Sequence, residues 1–326
     1  MRVAVIGAGA IGRVHARALR QIAGAELAGL GVRAPSEASQ QLARELGTEL
    51  ARPEELLARR DIDAVVIATP TDTHLALVQA AAHAGKQIIC EKPLARSLAD
   101  AEALIAVARR AGVKLAIGLV VRYFPAYAAA HAALLRGELG APVRLHASRG
   151  GSFPVVAGDW YADSARSGGV ALDLMIHDFD WARWLFGPVE QVSARRVSPP
   201  GAARAEHVVA ELRFGSGAAA TIEGSWGFVD GFRSTFELAG SAGQLRYDSR
   251  PDAALPGAPA DAGVAVPAGA GPDDPYLLQM RDCIGWLGGG PPPRCDASDA
   301  LAALRISLAV LESIGAGRPV ALEPER

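Results

Sequence analysis

Cysteine is scarce in this chain, with three residues in 326, which is too few for a disulfide framework. Cys90 lies in an apolar run, and this predicts a buried, reduced thiol. Neither sign of charge dominates, because 33 Lys and Arg stand against 35 acidic residues and the isoelectric point is near 6.4. The composition therefore lacks the basic footprint of a nucleic-acid-binding protein, and we expect no nucleic-acid partner.

Long hydrophobic runs are also missing. No segment approaches the ~20 apolar residues that a membrane span needs, so we expect no membrane partner. Met1 and Arg2 pass directly into an apolar strand pattern, without the ordered regions of a signal peptide. We therefore expect a cytoplasmic protein, and no metal site is expected. With 50% hydrophobic and 21% charged residues, the chain is long enough for two domains.

The first third of the chain alternates short apolar strand patterns with helix patterns. RVAVI, DAVVIAT and QIICE are typical strands, and GRVHARALRQI and SLADAEALIAVARRAG are typical helices. Strict alternation with nearly unbroken apolar strands predicts a parallel sheet that is covered on both faces. We predict a doubly wound, dinucleotide-binding domain of the Rossmann type over residues 1–120.

The regular alternation of strand and helix patterns ends after Arg122. A helix at 126–136, the strand VRLHASRGG and a helix at 169–186 precede alternating runs such as EHVVAELRF and AAATIEGSW. Consecutive strands with glycine turns predict a largely antiparallel sheet. We predict a second α/β domain over residues 121–326. Within it, the Ala/Pro/Gly-rich segment 251–272 predicts a mobile loop.

The motif GAGAIG lies directly between the first strand and the first helix. Gly7 permits the tight turn, Gly9 lets backbone approach a pyrophosphate, and Gly12 lets the helix pack on the sheet. The first helical residues, Ala10 and Ile11, present free N–H groups and the positive end of the helix dipole to the phosphates. This context predicts dinucleotide binding.

The end of the second strand bears on the choice between NAD and NADP. An acidic residue about 20 positions after the motif would bind the ribose 2′-hydroxyl of NAD. The chain reads Gly31-Val32-Arg33 there, and Glu37 lies inside the next helix pattern. Arg33, with Ser36 behind it, favours the 2′-phosphate of NADP. Alternatively, Arg33 is simply solvated.

Two further motifs follow strands at the carboxyl edge of the predicted sheet, where ligands bind in open α/β folds. In ATPTDTH, Thr69 and Pro70 end the strand, and His74 begins a helix over the cofactor. In CEKP, Glu91 and Lys92 follow a buried strand. The Lys92 ammonium can stabilise negative charge on a reacting oxygen, and the Lys92–Pro93 bond is a candidate cis peptide. A surface Glu–Lys pair is the alternative.

The segment GGVALDLMIHDFDW combines hydrophobic character with three carboxylates and an imidazole. On one continuous helix, Asp173, His177, Asp180 and Trp184 share a stripe with apolar stripes beside it, which predicts that it faces a cleft. Asp178 falls on another face and is interpreted as structural. We expect the two glycines, 168 and 169, to let backbone approach a ligand closely. Satisfied core polar groups are the alternative interpretation of the stripe.

These segments, in this order and spacing, resemble the Gfo/Idh/MocA oxidoreductases. The resemblance covers nearly the whole chain and is weakest in segment 251–272. The segments that carry it are GAGAIGRVHARAL, ATPTDTHLALVQAAAHAGKQIICEKPLA, GLVVRYFPAY and SGGVALDLMIHDFDWARWLFG, and the EKP and D-x-x-x-H-x-x-D elements together are specific. It implies an N-terminal Rossmann domain and a C-terminal α/β domain with an open-faced, largely antiparallel sheet. That sheet commonly forms a dimer or tetramer interface. We expect a homodimer or homotetramer, because an open sheet would expose an apolar face in a monomer.

The resemblance also implies residue roles. Lys92, Asp173 and His177 match the catalytic lysine, aspartate and histidine of the family. His177 would be the general base for a substrate hydroxyl, a role that the ordinary imidazole pKa of about 6.5 suits. Arg122 would approach both the nicotinamide and the substrate, and Trp160 is also expected to contact the substrate. Asp180 either orients the His177 imidazole or makes a purely structural bond.

The implied activity is hydride transfer between a polyol or sugar carbinol and NAD(P), with an inositol or a cyclic sugar as the first expected substrate. The missing acid near Val32 departs from NAD-using inositol dehydrogenases. An aldose 1-dehydrogenase and an enzyme for amino or keto sugars therefore remain alternatives. A regulatory protein that binds the dinucleotide without turnover is a further alternative of a different class.

Overall fold

The structure is a computed structural model that describes residues 1–155, 159–197, 204–227, 231–250 and 274–324. The chain forms two compact units, one of Met1–Tyr123 with Ala270–Leu301 and the other of Phe124–Gly269 with Ala302–Arg326. The segment 251–272, for which the sequence predicts a mobile loop, lies outside the described residues. None of the described helices is long and apolar enough to cross a membrane.

The described part of the first unit contains one parallel sheet of six strands, in the order β3-β2-β1-β4-β5-β6. Its strands are β1 (Arg2–Ile6), β2 (Glu26–Gly31), β3 (Leu50–Ala51), β4 (Ala64–Ile67), β5 (Gln87–Cys90) and β6 (Leu115–Ile117). The predicted doubly wound Rossmann sheet is confirmed. Strand order reverses between β1 and β4, and ligands bind at such a switch point, outside the carboxyl ends of the strands.

Helices cover this sheet. They are α1 (Ala10–Leu19), α2 (Glu37–Leu46), α3 (Pro53–Ala58), α4 (His74–His83), α5 (Leu98–Ala111) and α10 (Pro275–Leu287). Gly47 and Gly112 end α2 and α5 in the left-handed conformation, as C-terminal glycines commonly do. Helix α10 is distant in sequence, yet its Leu277, Met280 and Cys283 join the core that Leu19 of α1 helps to build.

The second unit contains a mixed sheet, for which the described residues give the order β12-β11-β7-β10-β9-β8-β13. The strands are β7 (Pro142–Gly150), β8 (Val189–Val197), β9 (His207–Phe214), β10 (Ala219–Ser225), β11 (Arg233–Gly240), β12 (Gln244–Asp248) and β13 (Val320–Ala321). β10 pairs with β7 in parallel, and the other described pairs are antiparallel. The predicted α/β class with a largely antiparallel second sheet is confirmed.

Helices and an aromatic cluster pack on this sheet. The helices are α6 (Pro125–Leu135), α7 (Ser164–Ser167), α8 (Gly169–Asp173), α9 (Ile176–Phe186) and α11 (Ala297–Ala316), which belongs to this unit from Ala302 onward. Trp181 of α9 lies 4.7 Å from the Tyr127 ring of α6 and 4.8 Å from the Phe236 ring of β11. Such aromatic packing holds α9 firmly on the sheet.

The single helix predicted for 169–186 is wrong, because the segment forms two helices. The break falls at Leu174 and Met175, where the Met175 N–H donates to the carbonyl of Val170, five residues back. Met175 packs on Gly224 of β10, where a Cβ would lie only 2.3 Å from the Met175 Cγ. Helical periodicity alone therefore does not place Asp173 on the stripe of His177, since a turn separates the two helices.

The expectation of an apolar open face on the mixed sheet is also wrong. Along β7, Leu145 and Ala147 are buried, whereas the alternate positions Arg144 and His146 are exposed. Polar contacts join neighbouring strands on the outer side, including the Arg144–Glu237 ion pair and the contact between His146 Nε2 and Glu223. Alternation of buried apolar and outer polar side chains is the normal pattern of a sheet with one solvated face.

Candidate active-site elements in the two units

The glycine-rich turn joins β1 to α1 at the carboxyl edge of the parallel sheet. Gly7 has φ +105°, and its N–H donates to the Gly31 carbonyl at 2.9 Å. A Cβ on Gly7 would lie 2.3 Å from the Ala68 oxygen, and one on Gly12 would lie 1.9 Å from the Gly7 oxygen. Both positions therefore accept only glycine, for the tight turn and the helix packing that the motif predicts.

Gly9 differs from these two, because a Cβ built on it would meet nothing within 4 Å. It is the N-cap of α1. Within the described part of the chain no side chain caps the first turn, which contains no acidic residue. The N–H groups of Ala10 and Ile11 thus begin a ten-residue helix beside open space. Uncapped N–H groups and the helix dipole fit the pyrophosphate of a dinucleotide.

The residues after β2 are those that would contact the 2′ position of the dinucleotide ribose. Arg33 lies two residues after β2 and is exposed, and it forms no hydrogen bond or ion pair with the residues that the structure describes. The Ser36 hydroxyl accepts a hydrogen bond from the Ser39 N–H and so caps α2. The acidic Glu37 belongs to the first turn of α2.

His74 connects the turns that follow β4 and β5. Its ring is fully buried, with Nδ1 2.9 Å from the Pro93 oxygen and Nε2 3.0 Å from the Thr69 oxygen. Burial lowers the pKa of His74, although both carbonyls favour its charged form. The sequence predicts that this residue lies over the cofactor. In the structure, both ring nitrogens lie within hydrogen-bond distance of backbone carbonyl oxygens. In the first turn, Thr69 and Pro70 are half-buried.

Lys92 occupies the turn after β5, at the same carboxyl edge. The Lys92–Pro93 peptide is cis, as predicted. Lys92 is partly exposed, and its N–H donates to Glu91 Oε2 at 3.0 Å. The other Glu91 oxygen lies 2.6 Å from Nε2 of His15, a residue of α1 that the sequence analysis does not identify. Burial raises the pKa of the preceding Cys90 thiol well above its ordinary value.

Arg122 is buried in the 3₁₀ turn Val120–Tyr123. Its Nη1 donates to the Arg294 carbonyl at 2.7 Å and to an Asp299 carboxylate oxygen at 3.0 Å. These contacts give the guanidinium a structural role within the first unit. Contact of Arg122 with cofactor and substrate stays a prediction.

In the second unit, Asp173 and His177 lie on consecutive helices. Asp173 ends α8 and is buried, and His177 lies half-buried in the first turn of α9. The neighbouring Asp178 accepts two hydrogen bonds from the buried Arg149 guanidinium, at 2.6 and 2.8 Å. The interpretation of Asp178 as structural is thus confirmed. Asp180 is fully buried, so it faces the protein interior.

The two glycines before α8 serve the protein's own packing. Gly168 has φ +80° and Gly169 φ +68°. Added Cβ atoms would meet Leu172 at 2.4 Å and a Glu206 carboxylate oxygen at 2.8 Å. That carboxylate accepts the N–H of Val170 at 2.9 Å. The space beside these glycines is therefore filled by side chains of this chain, contrary to the expected close approach of a ligand.

Trp160 begins a 3₁₀ turn, Trp160–Ala162, and stacks on Tyr161 with ring centroids 4.0 Å apart. The Tyr161 carbonyl accepts a bond from the Ser167 hydroxyl at 3.0 Å, which ties this turn to α7. Trp160 itself is half-buried. Contact with a substrate stays a prediction for this residue.

The buried charged or titratable groups that sequence reasoning missed include His15 and Arg149. The sequence position of each residue could have indicated its burial. His15 lies on the buried side of α1, three residues after Gly12, and Arg149 shares the inward parity of Leu145 and Ala147 on β7. A charged or titratable residue at an inward position requires a buried partner, and here the partners are Glu91 and Asp178.

The chain is similar to known proteins along its whole length. It is 33% identical to the myo-inositol 2-dehydrogenase of Thermotoga maritima over 99% of both chains. It is 32% identical to the scyllo-inositol 2-dehydrogenase (NAD(+)) of Bacillus subtilis, over 100% of this chain and 97% of the relative. Among solved structures, GenD2 from gentamicin A biosynthesis, in complex with NAD, is 26% identical with a TM-score of 0.88 and covers 99% of this chain and 97% of its own.

Two family models match separate parts of the chain. Residues 1–119 match the Gfo/Idh/MocA oxidoreductase family, described as having an NAD-binding Rossmann fold. Residues 127–246 match the Gfo/Idh/MocA C-terminal domain. From these matches and the full-length similarity, the chain belongs to the Gfo/Idh/MocA family of NAD-binding oxidoreductases.

Proposed function

We propose that this protein is an NAD(P)-dependent dehydrogenase that oxidises a ring carbinol of an inositol or another cyclic sugar. The observation that carries the proposal is Lys92 on the β5 turn, at the same sheet edge as the open, uncapped glycine turn of α1. The full-length similarity to dehydrogenases named for inositols supports the substrate class.

We assign the chemistry to three side chains. His177 accepts the proton of the reacting hydroxyl. Asp173 binds a substrate hydroxyl and fixes the reacting carbon, and the Lys92 ammonium stabilises charge that develops on the reacting oxygen. Bound NAD(P) supplies the hydride acceptor.

We propose that the Gly7–Gly12 turn, with Ala10 and Ile11, holds the pyrophosphate, and that Thr69, Pro70 and Glu91 border the nicotinamide half. NADP is the preferred dinucleotide in this proposal. Exposed Arg33 is available to a 2′-phosphate, and no acidic residue stands at Gly31-Val32 to bind a 2′-hydroxyl. The three buried cysteine thiols are compatible with a reducing, cytoplasmic location.

The test is turnover with a substrate panel. Purified protein is offered myo-inositol, scyllo-inositol, aldoses, amino sugars and an acyclic polyol, each with NAD and with NADP, and reduced nicotinamide is followed by absorbance. Oxidation of a cyclic polyol supports the proposal. Oxidation of aldoses alone assigns an aldose 1-dehydrogenase instead. Tight cofactor binding without turnover of any substrate contradicts the proposal and indicates a sensor.

A further inference from the structure

The carboxylate of Glu91 is divided between two partners. Its Oε1 lies 2.6 Å from His15 Nε2, and its Oε2 accepts a hydrogen bond from the backbone N–H of Lys92 at 3.0 Å. Glu91 and His15 are 6% and 1% exposed, so water does not compete for these bonds. In such surroundings, a carboxylate with fixed donors holds its position.

The His15 ring fits this carboxylate as a single donor. Its Nδ1 is buried without a hydrogen-bond partner among the residues that the structure describes. The ring meets Glu91 through Nε2 alone, which is the nitrogen that faces the carboxylate. On the other side, a Cβ on Gly118 would lie 2.6 Å from Glu91 Oε1. The carboxylate is therefore confined between His15 and Gly118.

A second imidazole binds the far side of the same turn. His74 Nδ1 contacts the Pro93 oxygen at 2.9 Å, and its Nε2 contacts the Thr69 oxygen at 3.0 Å. This fully buried ring thus bridges the turn after β4 to the turn after β5. Lys92 lies between the two contacts, since Glu91 precedes it and Pro93 follows it.

We propose that His15 and His74 are positioning residues for Lys92: the two buried rings hold the Glu91–Pro93 turn from both ends and so fix where the Lys92 ammonium is presented. His15 belongs to α1, so the pyrophosphate helix and the Lys92 turn are held as one element. This proposal rests on the proposed function, in which Lys92 acts on the reacting oxygen. Neither histidine is assigned contact with substrate.

The kinetic test uses three matched substitutions, His15→Phe, His74→Phe and the control His83→Phe. Phenylalanine keeps a ring and removes both nitrogens, and His83 is an exposed residue at the end of α4. We expect the first two variants to lower kcat by about 10- to 100-fold, as misplaced catalytic groups do, with little change in the KM for the dinucleotide. His83→Phe should behave as the unmodified protein does.

A second readout is independent of turnover. The chain has three lysines, Lys86, Lys92 and Lys114, so reductive ¹³C-methylation gives few resonances. Lys92→Arg identifies the Lys92 signal. That signal should shift in His15→Phe and His74→Phe, whereas the Lys114 signal should not, because Lys114 Nζ is held by the Trp286 carbonyl.

Both readouts are required. If kcat falls while the Lys92 resonance stays in place, or the resonance shifts while kcat is unchanged, the positioning role is wrong. If the unmodified protein turns over no substrate, the proposed function fails, and an unmoved Lys92 resonance would separately overturn the positioning.

Should the Phe variants not fold, Gly118→Ala displaces Glu91 from the opposite side and must produce the same two effects. His15→Gln, which retains an N–H donor, should recover part of the rate.

Discussion

At the residue scale, the proposed chemistry depends most on His177. We expect His177→Ala to lower the kcat of oxidation by at least about 100-fold, because a positioned base contributes that much. Affinity for the dinucleotide should hardly change, since the proposed pyrophosphate site belongs to the first unit. Steady-state kinetics and fluorescence titration with the reduced cofactor measure the two quantities.

The matched control for this prediction is His83→Ala, at the exposed end of α4 in the first unit. It should keep the rate of the unmodified enzyme. A folded His177→Ala enzyme that binds cofactor and oxidises the best substrate at a near-normal rate would show that His177 is a structural residue.

Arg33 carries the second residue-scale prediction, the preference for NADP. We expect NADP(H) to bind more tightly than NAD(H), and Arg33→Ala to abolish the difference by removing the partner of the 2′-phosphate. Isothermal titration with both cofactors measures this. Arg44→Ala, an exposed arginine in the last turn of α2, serves as the control. Equal affinities, or tighter NAD binding, in the unmodified protein would contradict the prediction.

The buried ring of His74 predicts a pH dependence of stability. Its pKa is lowered below the ordinary value of 6.5, chiefly by burial, so the unfolded chain takes up a proton that the folded chain resists. The stabilisation is complete above pH 6.5 and is lost as the pH falls below it. At most, one such group contributes about 1.4 kcal/mol per pH unit.

Urea unfolding between neutral and mildly acidic pH tests this dependence. The unfolding free energy of the unmodified protein should fall more steeply with decreasing pH than that of His74→Phe. His83→Phe removes an exposed ring and should keep the steep slope. Equal slopes in the unmodified protein and His74→Phe would contradict the assignment.

At the element scale, the sequence predicted those helices, strands and turns whose conformation depends on residues close together in the chain. The strand–glycine turn–helix unit around Gly7 followed from spacing, because a tight turn and close helix packing leave only glycine at those positions. The break between α8 and α9 did not follow, since it depends on Met175 packing against Gly224 of a distant strand. Helix α10 escaped prediction for the same reason: its core contacts with residues of α1 are long-range.

The open turn at Gly9 yields an element-scale prediction. Gly9→Ala should leave folding intact, because a Cβ there meets no atom within 4 Å and the backbone has φ −70°. It should nevertheless weaken dinucleotide binding at least about tenfold, by occupying the space where backbone approaches the pyrophosphate. Cofactor titration and thermal unfolding measure the two effects.

The matched control is Gly285→Ala, at an exposed position of α10 where a Cβ also meets nothing. It should leave cofactor affinity unchanged, and it should raise stability slightly because alanine favours the helix. If Gly9→Ala binds the dinucleotide as tightly as the unmodified protein does, the pyrophosphate does not lie against this turn.

At the scale of the whole molecule, the two units divide the proposed work. The first contains the glycine turn, Arg33 and the Lys92 turn, and the second contains Asp173 and His177. The second unit also has the mixed sheet with its polar outer face. That outer face is polar, and charged side chains on neighbouring strands pair across it. Association through it would therefore depend on charge as well as on the burial of surface area.

We expect a homodimer or homotetramer that forms through this face, with a mass two or four times the 33.7 kDa of one chain. Glu237 pairs with both Arg144 and Arg246 there, so Glu237→Arg would place three like charges together and should shift the protein toward monomer. Glu45→Arg, which breaks the exposed Arg17 pair of the first unit, is the matched control and should keep the oligomer. Light scattering at micromolar concentration measures both. A monomeric mass for the unmodified protein would contradict the prediction, and an oligomer that survives Glu237→Arg would place the interface elsewhere.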